Sequence, residues 1–275
     1  MDIVLHIGTG KTGTSSIQYL LRDNRDRLAR LGHLYPQTPG RARHGRLGLF
    51  IKSDAGLENS PEWHRQKESD PATFRKAFRR DLLSEIGGSG LSRVLLSDEI
   101  LFGSTDPALR RLRRLTDPIA QSLRLVVYLR RQDDHMVSRY QQGVKIGRVL
   151  RLDEWAQHDM ADLYDYHARL RRHQQLLAPT GFVIRRYERD SFVDGSLYQD
   201  FLEAVGIDAR VEDLEQGPNR NTSLDAESVE FLRVLNLYRV ENEAATVGLI
   251  DNRRLVTRLA EVSTGPSLTL PGRVL

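Results

Sequence analysis

The run Ile3-Val4-Leu5-His6-Ile7-Gly8-Thr9-Gly10-Lys11-Thr12-Gly13-Thr14-Ser15-Ser16-Ile17 contains the residue types that hold a phosphate. Gly8, Gly10 and Gly13 allow a sharp turn and a close approach of backbone to ligand. Such a turn between a strand and a helix aims successive N–H groups and the helix N-terminus at one point, which makes an anion site. Lys11 brings a mobile positive charge, and Thr12, Thr14, Ser15 and Ser16 bring hydroxyl donors. The competing reading is a glycine-rich turn whose Thr or Ser merely caps the next helix. A lysine among glycines, after an apolar run and before an amphipathic one, favours the anion site.

Spacing sets the kind of loop. A Walker A loop needs Gly, four residues, then Gly-Lys-Ser/Thr. Gly10-Lys11-Thr12 supplies the end, but the first required glycine falls on Leu5, so this loop is shorter than that of ATPases and kinases. A second anion site is expected around Arg130, at the end of Leu125-Val126-Val127-Tyr128-Leu129. In open α/β sheets ligands gather beyond the carboxyl ends of the strands, so Arg130 should share an edge with the Gly8–Ser16 loop. Ser138 lies off the apolar stripe of Met136, Val137, Tyr140 and Val144. An arginine fork and a hydroxyl there suit a second phosphate. The alternative is Arg130 paired with Asp133 or Asp134, beside an idle helical serine.

Glu99, in Leu95-Leu96-Ser97-Asp98-Glu99, has two readings: a general base at a strand end, or a helix N-terminal carboxylate with Asp98 as cap. His44, in Arg41-Ala42-Arg43-His44-Gly45-Arg46, is the rival base or a substrate contact, against the alternative of an exposed loop histidine. His6 reads as core or as support behind the site, His135 as helix surface, and Tyr187 as core.

These residues need a scaffold. Apolar runs at Ile3–Ile7, Arg93–Ser97, Leu123–Leu129 and Phe182–Tyr187 read as buried strands, and helical patterns between them suggest parallel βαβ units. The first helix carries Ile17, Leu20, Leu21, Asn24, Leu28 and Leu31 on one face, with Gly32 at its C-terminal cap. Asp70-Pro71 opens a second helix, with Phe74, Phe78, Leu82 and Ile86, that stops at Gly87-Gly88-Ser89-Gly90. Asp106-Pro107 opens a third and Asp133-Asp134 a fourth, acidic at its positive end. Further helices are expected over Leu163–Leu177, Leu197–Val205 and Asp225 to about Ala245. Pro36–Ser69 has no sustained period and reads as an irregular insertion facing the acceptor. Ser263–Leu275 reads as an irregular tail. The expected whole is one domain over 1–275.

Composition narrows the partners. The 275 residues suffice for a sizeable core. No cysteine is present, which excludes disulfides and thiolate metal sites and fits a reducing compartment. Net charge is +4, with 41 Lys and Arg against 37 Asp and Glu. With no long basic run and no aromatic-basic interleaving, a small anionic ligand is favoured over nucleic acid. No run approaches the length of a transmembrane segment. The opening residues are too short and acidic for a signal peptide, so the expected location is cytoplasmic.

The Lys11-Thr12-Gly13-Thr14-Ser15 loop, with Arg130 and Ser138, resembles the sulfotransferases that use 3′-phosphoadenosine 5′-phosphosulfate (PAPS). That family carries Lys-Ser/Thr-Gly-Thr-Ser/Thr after its first strand, and an Arg and a later Ser on the 3′-phosphate. Arg186-Tyr187-Glu188 and Asn221-Thr222-Ser223-Leu224 also look like its bacterial branch. The resemblance spans roughly Ile3 to Leu237. It implies a P-loop-like three-layer α/β fold with a central parallel sheet flanked by helices. It also implies sulfuryl transfer from PAPS to an acceptor hydroxyl, with 3′,5′-adenosine bisphosphate as product. Gly10–Ser15 would grip the 5′-phosphosulfate, Arg130 and Ser138 the 3′-phosphate, and Tyr187 would lie near the adenine. Lys11 would stabilise the leaving oxygen and Glu99 would take the acceptor proton, with no metal required. The catalytic His of the cytosolic small-molecule branch has no counterpart here, nor does its Arg-Lys-Gly loop. The basic insertion suits a glycan or glycolipid acceptor. The rivals are a P-loop kinase or NTPase, with Val94–Glu99 as its Mg²⁺ strand, and a non-catalytic nucleotide-binding module.

Overall fold

The computed structural model describes residues 1–66, 70–158, 160–217 and 224–270. The chain runs β1 (Asp2–His6), α1 (Thr14–Asp23), α2 (Arg25–Arg30), β2 (His33–Leu34), α3 (Gly45–Ile51), α4 (Asp54–Glu58), α5 (Pro71–Gly88), β3 (Arg93–Ser97) and α6 (Asp106–Thr116). It continues through β4 (Ser122–Leu129), α7 (Gln132–Lys145), α8 (Leu152–Ala156), α9 (Ala161–Tyr164), α10 (Tyr166–Leu177), β5 (Gly181–Arg186), α11 (Leu197–Val205), α12 (Ala226–Asn242) and α13 (Arg253–Val262). By packing, the chain divides into two compact units. One is Met1–Leu129 with Asp165–Pro218, the other Arg130–Tyr164 with Asn219–Leu275.

The first unit is the P-loop-like three-layer α/β fold that the sequence leads one to expect. Its five strands are all parallel, in the order β2-β3-β1-β4-β5. Alternation along the strands feeds two cores, because successive side chains point to opposite faces. Ile3 and Leu5 face Phe74, Phe78, Leu109 and Leu112 on one side, while Val4 faces Ile17, Leu21, Phe201 and Leu202 on the other. His6 pairs with Ser97 of β3 and Val126 of β4, so these strand ends lie side by side. The chain moves from β1 outward to β2, returns to β3, then crosses β1 to reach β4. The loop after β1 therefore sits where the winding reverses, the place open α/β sheets use for ligands.

Local signals set most boundaries. Asp70 caps α5 by accepting from the Thr73 N–H at 2.6 Å, ahead of Pro71. Other stretches depart from expectation. The single first helix is two, broken at Asn24, whose side-chain amide donates to the Leu20 and Glu215 carbonyls and whose Oδ1 accepts the Glu215 N–H. That two-sided grip on a distant segment favours a break over a continuous helix. Pro36–Ser69 is not irregular over its described part. It holds α3, α4 and a 3₁₀ turn at Trp63–Arg65, and Leu47, Leu49, Phe50, Ile51, Leu57 and Trp63 enter the core. These elements are too short to show a period; residues 67–69 lie outside the described ones.

The second unit has its own core, in which Val137, Tyr140 and Val144 of α7 meet Trp155, Leu224, Val229 and Leu232. The described part of the tail expected over Ser263–Leu275 is irregular, as expected, but packed. Asp225 Oδ2 accepts the Gly265 N–H at 2.8 Å, and Leu268 and Leu270 pack on that core. His135 is buried in α7 rather than on its surface, edge-on to Tyr164. No helix among the described residues is long and apolar enough to cross a membrane.

Candidate active site

The Gly8–Ser16 loop is fastened to β4. Thr9 donates its N–H to the Tyr128 carbonyl at 3.0 Å, and Tyr128 donates to the Gly8 carbonyl at 2.7 Å. Three residues in the turn have positive φ: Gly8 at 103°, Lys11 at 67° and Gly13 at 72°. Glycine takes that region freely, whereas Lys11 is held there against its preference. The Thr12 hydroxyl, expected as a ligand donor, is spent inside the loop, donating to the Thr9 carbonyl at 2.6 Å. α1 starts on Gly13, which has no side chain to cap it, and its first turn contains no acidic residue. The positive end of this helix dipole therefore has no counter-charge of its own, which is the electrostatic condition of an anion site. Thr14 is buried and Ser15 exposed.

Gly13 is also where Tyr187 arrives. A Cβ on Gly13 would overlap the Leu197 side chain and lie 3.4 Å from the Tyr187 ring. Tyr187 is half-buried and meets Phe192 edge-on. It borders the loop instead of filling the core interior.

Glu99 sits on the opposite flank. A Cβ on Gly8 would come within 3.1 Å of Glu99 Cα and Cβ, and one on Gly10 within 3.9 Å of Glu99 Cγ. The capping reading of the Asp98-Glu99 pair holds: Asp98 caps the 3₁₀ turn Glu99–Gly103 by accepting the Ile100 N–H at 3.1 Å. The Glu99 side chain, 26% exposed, brings its Cβ and Cγ against the loop. Asp98 is fully buried, and burial lifts its carboxyl to about 6 despite Arg43 Nε at 2.9 Å.

His44 is neither exposed nor available. It stacks on Tyr35, its Nδ1 accepts the Ser97 N–H at 3.1 Å, and its Nε2 faces the Pro36 carbonyl at 3.0 Å. With one nitrogen accepting, the other carries the proton, and burial pulls the group down to about 3. Its work is to pin the segment before α3 to the end of β3, which delivers the neighbouring Arg43 to Asp98 and Glu99. His6 is likewise buried and held down to about 3 by burial, with Nδ1 against Ser97 Oγ at 2.8 Å.

Sequence reasoning missed two members of this cluster, Gln18 and Arg43. Gln18 Nε2 donates to Ser97 Oγ at 3.2 Å and to Glu99 Oε2 at 3.1 Å. Its one available signal was its place, a polar residue between Ile17 and Leu20 just after the loop. Arg43 gave no signal beyond its charge.

Arg130 and Ser138 fall in the second unit and are both half-buried, Arg130 just before α7 and Ser138 within it. Arg131 pairs with the acids of the first turn, 2.6 Å from Asp133 and 3.7 Å from Asp134. Residues 221–223 of the Asn221–Leu224 motif lie outside the described ones.

No protein-family model matches the chain. A curated protein of Archaeoglobus fulgidus, described as uncharacterized, is 30% identical over 142 residues, 50% of this chain and 36% of its own length. The match therefore spans about a third of that relative. A solved structure described as a sulfotransferase from Alicyclobacillus acidocaldarius aligns with 87% of this chain and 95% of its own, at 14% identity and a TM-score of 0.46.

Proposed function

We propose that this protein is a sulfotransferase that moves a sulfuryl group from PAPS to an acceptor hydroxyl. The observation that carries the reading is a short Lys11-bearing loop whose helix has no counter-charge of its own, with the Cα, Cβ and Cγ of Glu99 against its flank. The Gly10–Ser15 backbone with the Thr14 and Ser15 hydroxyls would hold the 5′-phosphosulfate, and Tyr187 would border the adenine. On sequence grounds, Arg130 and Ser138 are assigned the 3′-phosphate.

The chemistry is mainly positioning and charge stabilisation. The acceptor oxygen forms a bond to sulfur as the bond from sulfur to the 5′-phosphate oxygen breaks. Lys11 stabilises the charge left on that phosphate oxygen, and Glu99 receives the acceptor proton. Because His44 has both nitrogens engaged, the base role goes to Glu99 alone. A glycan or glycolipid acceptor remains the class suggested by the basic residues before α3.

The test is transfer of labelled sulfuryl from PAPS to a panel of sugar, lipid and phenol hydroxyls. Lys11→Ala should lower turnover by about 10²- to 10³-fold with the fold intact. Glu99→Gln should lower it by about 10²- to 10⁴-fold with bisphosphate affinity unchanged. Turnover at the wild-type rate in Lys11→Ala, or Mg²⁺-dependent phosphoryl transfer from ATP instead, would refute the assignment.

A further inference from the structure

Gln18 is only 3% exposed, and the chemistry above gives it no task. An amide NH₂ has two protons to place, and here both go to the end of β3: one to Ser97 Oγ, one to Glu99 Oε2. Ser97 is itself fixed, since its hydroxyl meets Nδ1 of His6, which burial keeps neutral. The other carboxylate oxygen of Glu99, Oε1, has Arg43 Nε at 3.7 Å. Arg43 is anchored in turn by Asp98 Oδ1 at 2.9 Å and Glu62 Oε1 at 3.2 Å. A partly exposed carboxylate would otherwise sample several rotamers; here it is approached from both sides.

We propose that Gln18 is a positioning residue that aims the Glu99 carboxylate beside the loop and joins the anion-binding helix to the base. This rests on the sulfuryl-transfer reading for its consequence, though not for its geometry. Gln18 is on α1, two residues beyond the Gly8–Ser16 loop, and its amide reaches across to Ser97 at the end of β3 and to Glu99 just past it. Any shift of α1 as an anion seats at its N-terminus therefore moves the donor that orients the base. The nucleotide site and the proton acceptor are coupled through one side chain, with Arg43 as the fixed support on the far side.

Two measurements test this, one of them independent of turnover. In ¹⁵N-resolved spectra of the whole protein, Glu99→Ala should shift the Gln18 side-chain amide resonances, and saturating 3′,5′-adenosine bisphosphate should shift them in the wild type. Gln18 resonances indifferent to Glu99→Ala would overturn the contact whether or not the protein transfers sulfuryl groups. In transfer assays, the near-isosteric Gln18→Met should lower kcat by about 10- to 100-fold, the size of effect that misplacing a reacting group produces. KM and bisphosphate affinity should change little. The loss should shrink with a strongly acidic phenol acceptor, which needs little help from a base. An equal loss for alkyl and phenol acceptors would mean a merely structural role, and wild-type kcat would mean none. Absence of any transfer by the wild-type protein would instead count against the function proposed above and leave the amide spectrum to judge Gln18.

Discussion

α1 and α7 occupy the same kind of position, each the first helix after a central strand, and they treat their positive ends in opposite ways. α7 neutralises its own terminus: Asp133 and Asp134 are in its first turn, and Asp133 accepts the Asp134 N–H at 2.9 Å. Arg131 beside Asp133 holds that carboxyl below the usual range. α1 has no acid in its first turn and a glycine for a cap. Internal satisfaction of a helix end stabilises the chain by itself, whereas an end left without its own counter-charge is worth keeping where an outside anion supplies it. The contrast gives the proposed anion site at α1 a ground in helix electrostatics alone.

The comparison can be broken most directly by giving α1 what α7 has. Ser15→Asp places a carboxylate in the first turn. It should reduce bisphosphate affinity by tenfold or more in calorimetry, while raising unfolding stability by about 0.3–1 kcal/mol. A variant that gained stability yet bound the nucleotide normally would show that the anion sits elsewhere.

Acid should separate the two regions next. His6 and His44 have folded values of about 3 against 6.5 for the free group. Protons therefore bind the unfolded chain first, and the stability these groups contribute is lost as pH falls from about 6.5 towards 3. Asp98, raised to about 6, works the other way, gaining stability as pH falls from about 6 towards 3.8, so two losses oppose one gain. The Asp133 contribution, with a lowered folded value, is present above 3.8 and fades only below it. Between pH 6.5 and 4.5, urea unfolding should show the wild type losing stability. His44→Asn, though less stable at pH 7, should show a smaller fall over that range. An equal fall in both would mean that His44 is not the buried neutral group described.

The smallest effect is expected from Asp133→Asn with Asp134→Asn. It should cost α7 about 0.3–1 kcal/mol per site in unfolding experiments. No change would mean that this terminus is satisfied by other groups.

Which parts of this were legible in the sequence follows the range of the interactions. Gly13, Asp70-Pro71 and the apolar strands act on near neighbours, so the loop, α5 and the sheet could be read directly. The break at Asn24 depends on Glu215, and the burial of His44 depends on Ser97; both are contacts between residues far apart in the chain. The two-residue β2 has no room for a period. Glu99 was visible as a carboxylate at a strand end, but its support by Gln18 and Arg43 exists only after α1 and the segment before α3 have packed against β3.

The central claim is that the Gly8–Ser16 loop binds a 3′-phosphorylated adenine nucleotide. Calorimetric titration with 3′,5′-adenosine bisphosphate, beside 5′-AMP and Mg·ATP, tests it most directly. The bisphosphate should bind tightly, 5′-AMP much more weakly, and both with indifference to magnesium. A preference for Mg·ATP would contradict it and favour a phosphoryl-transfer enzyme.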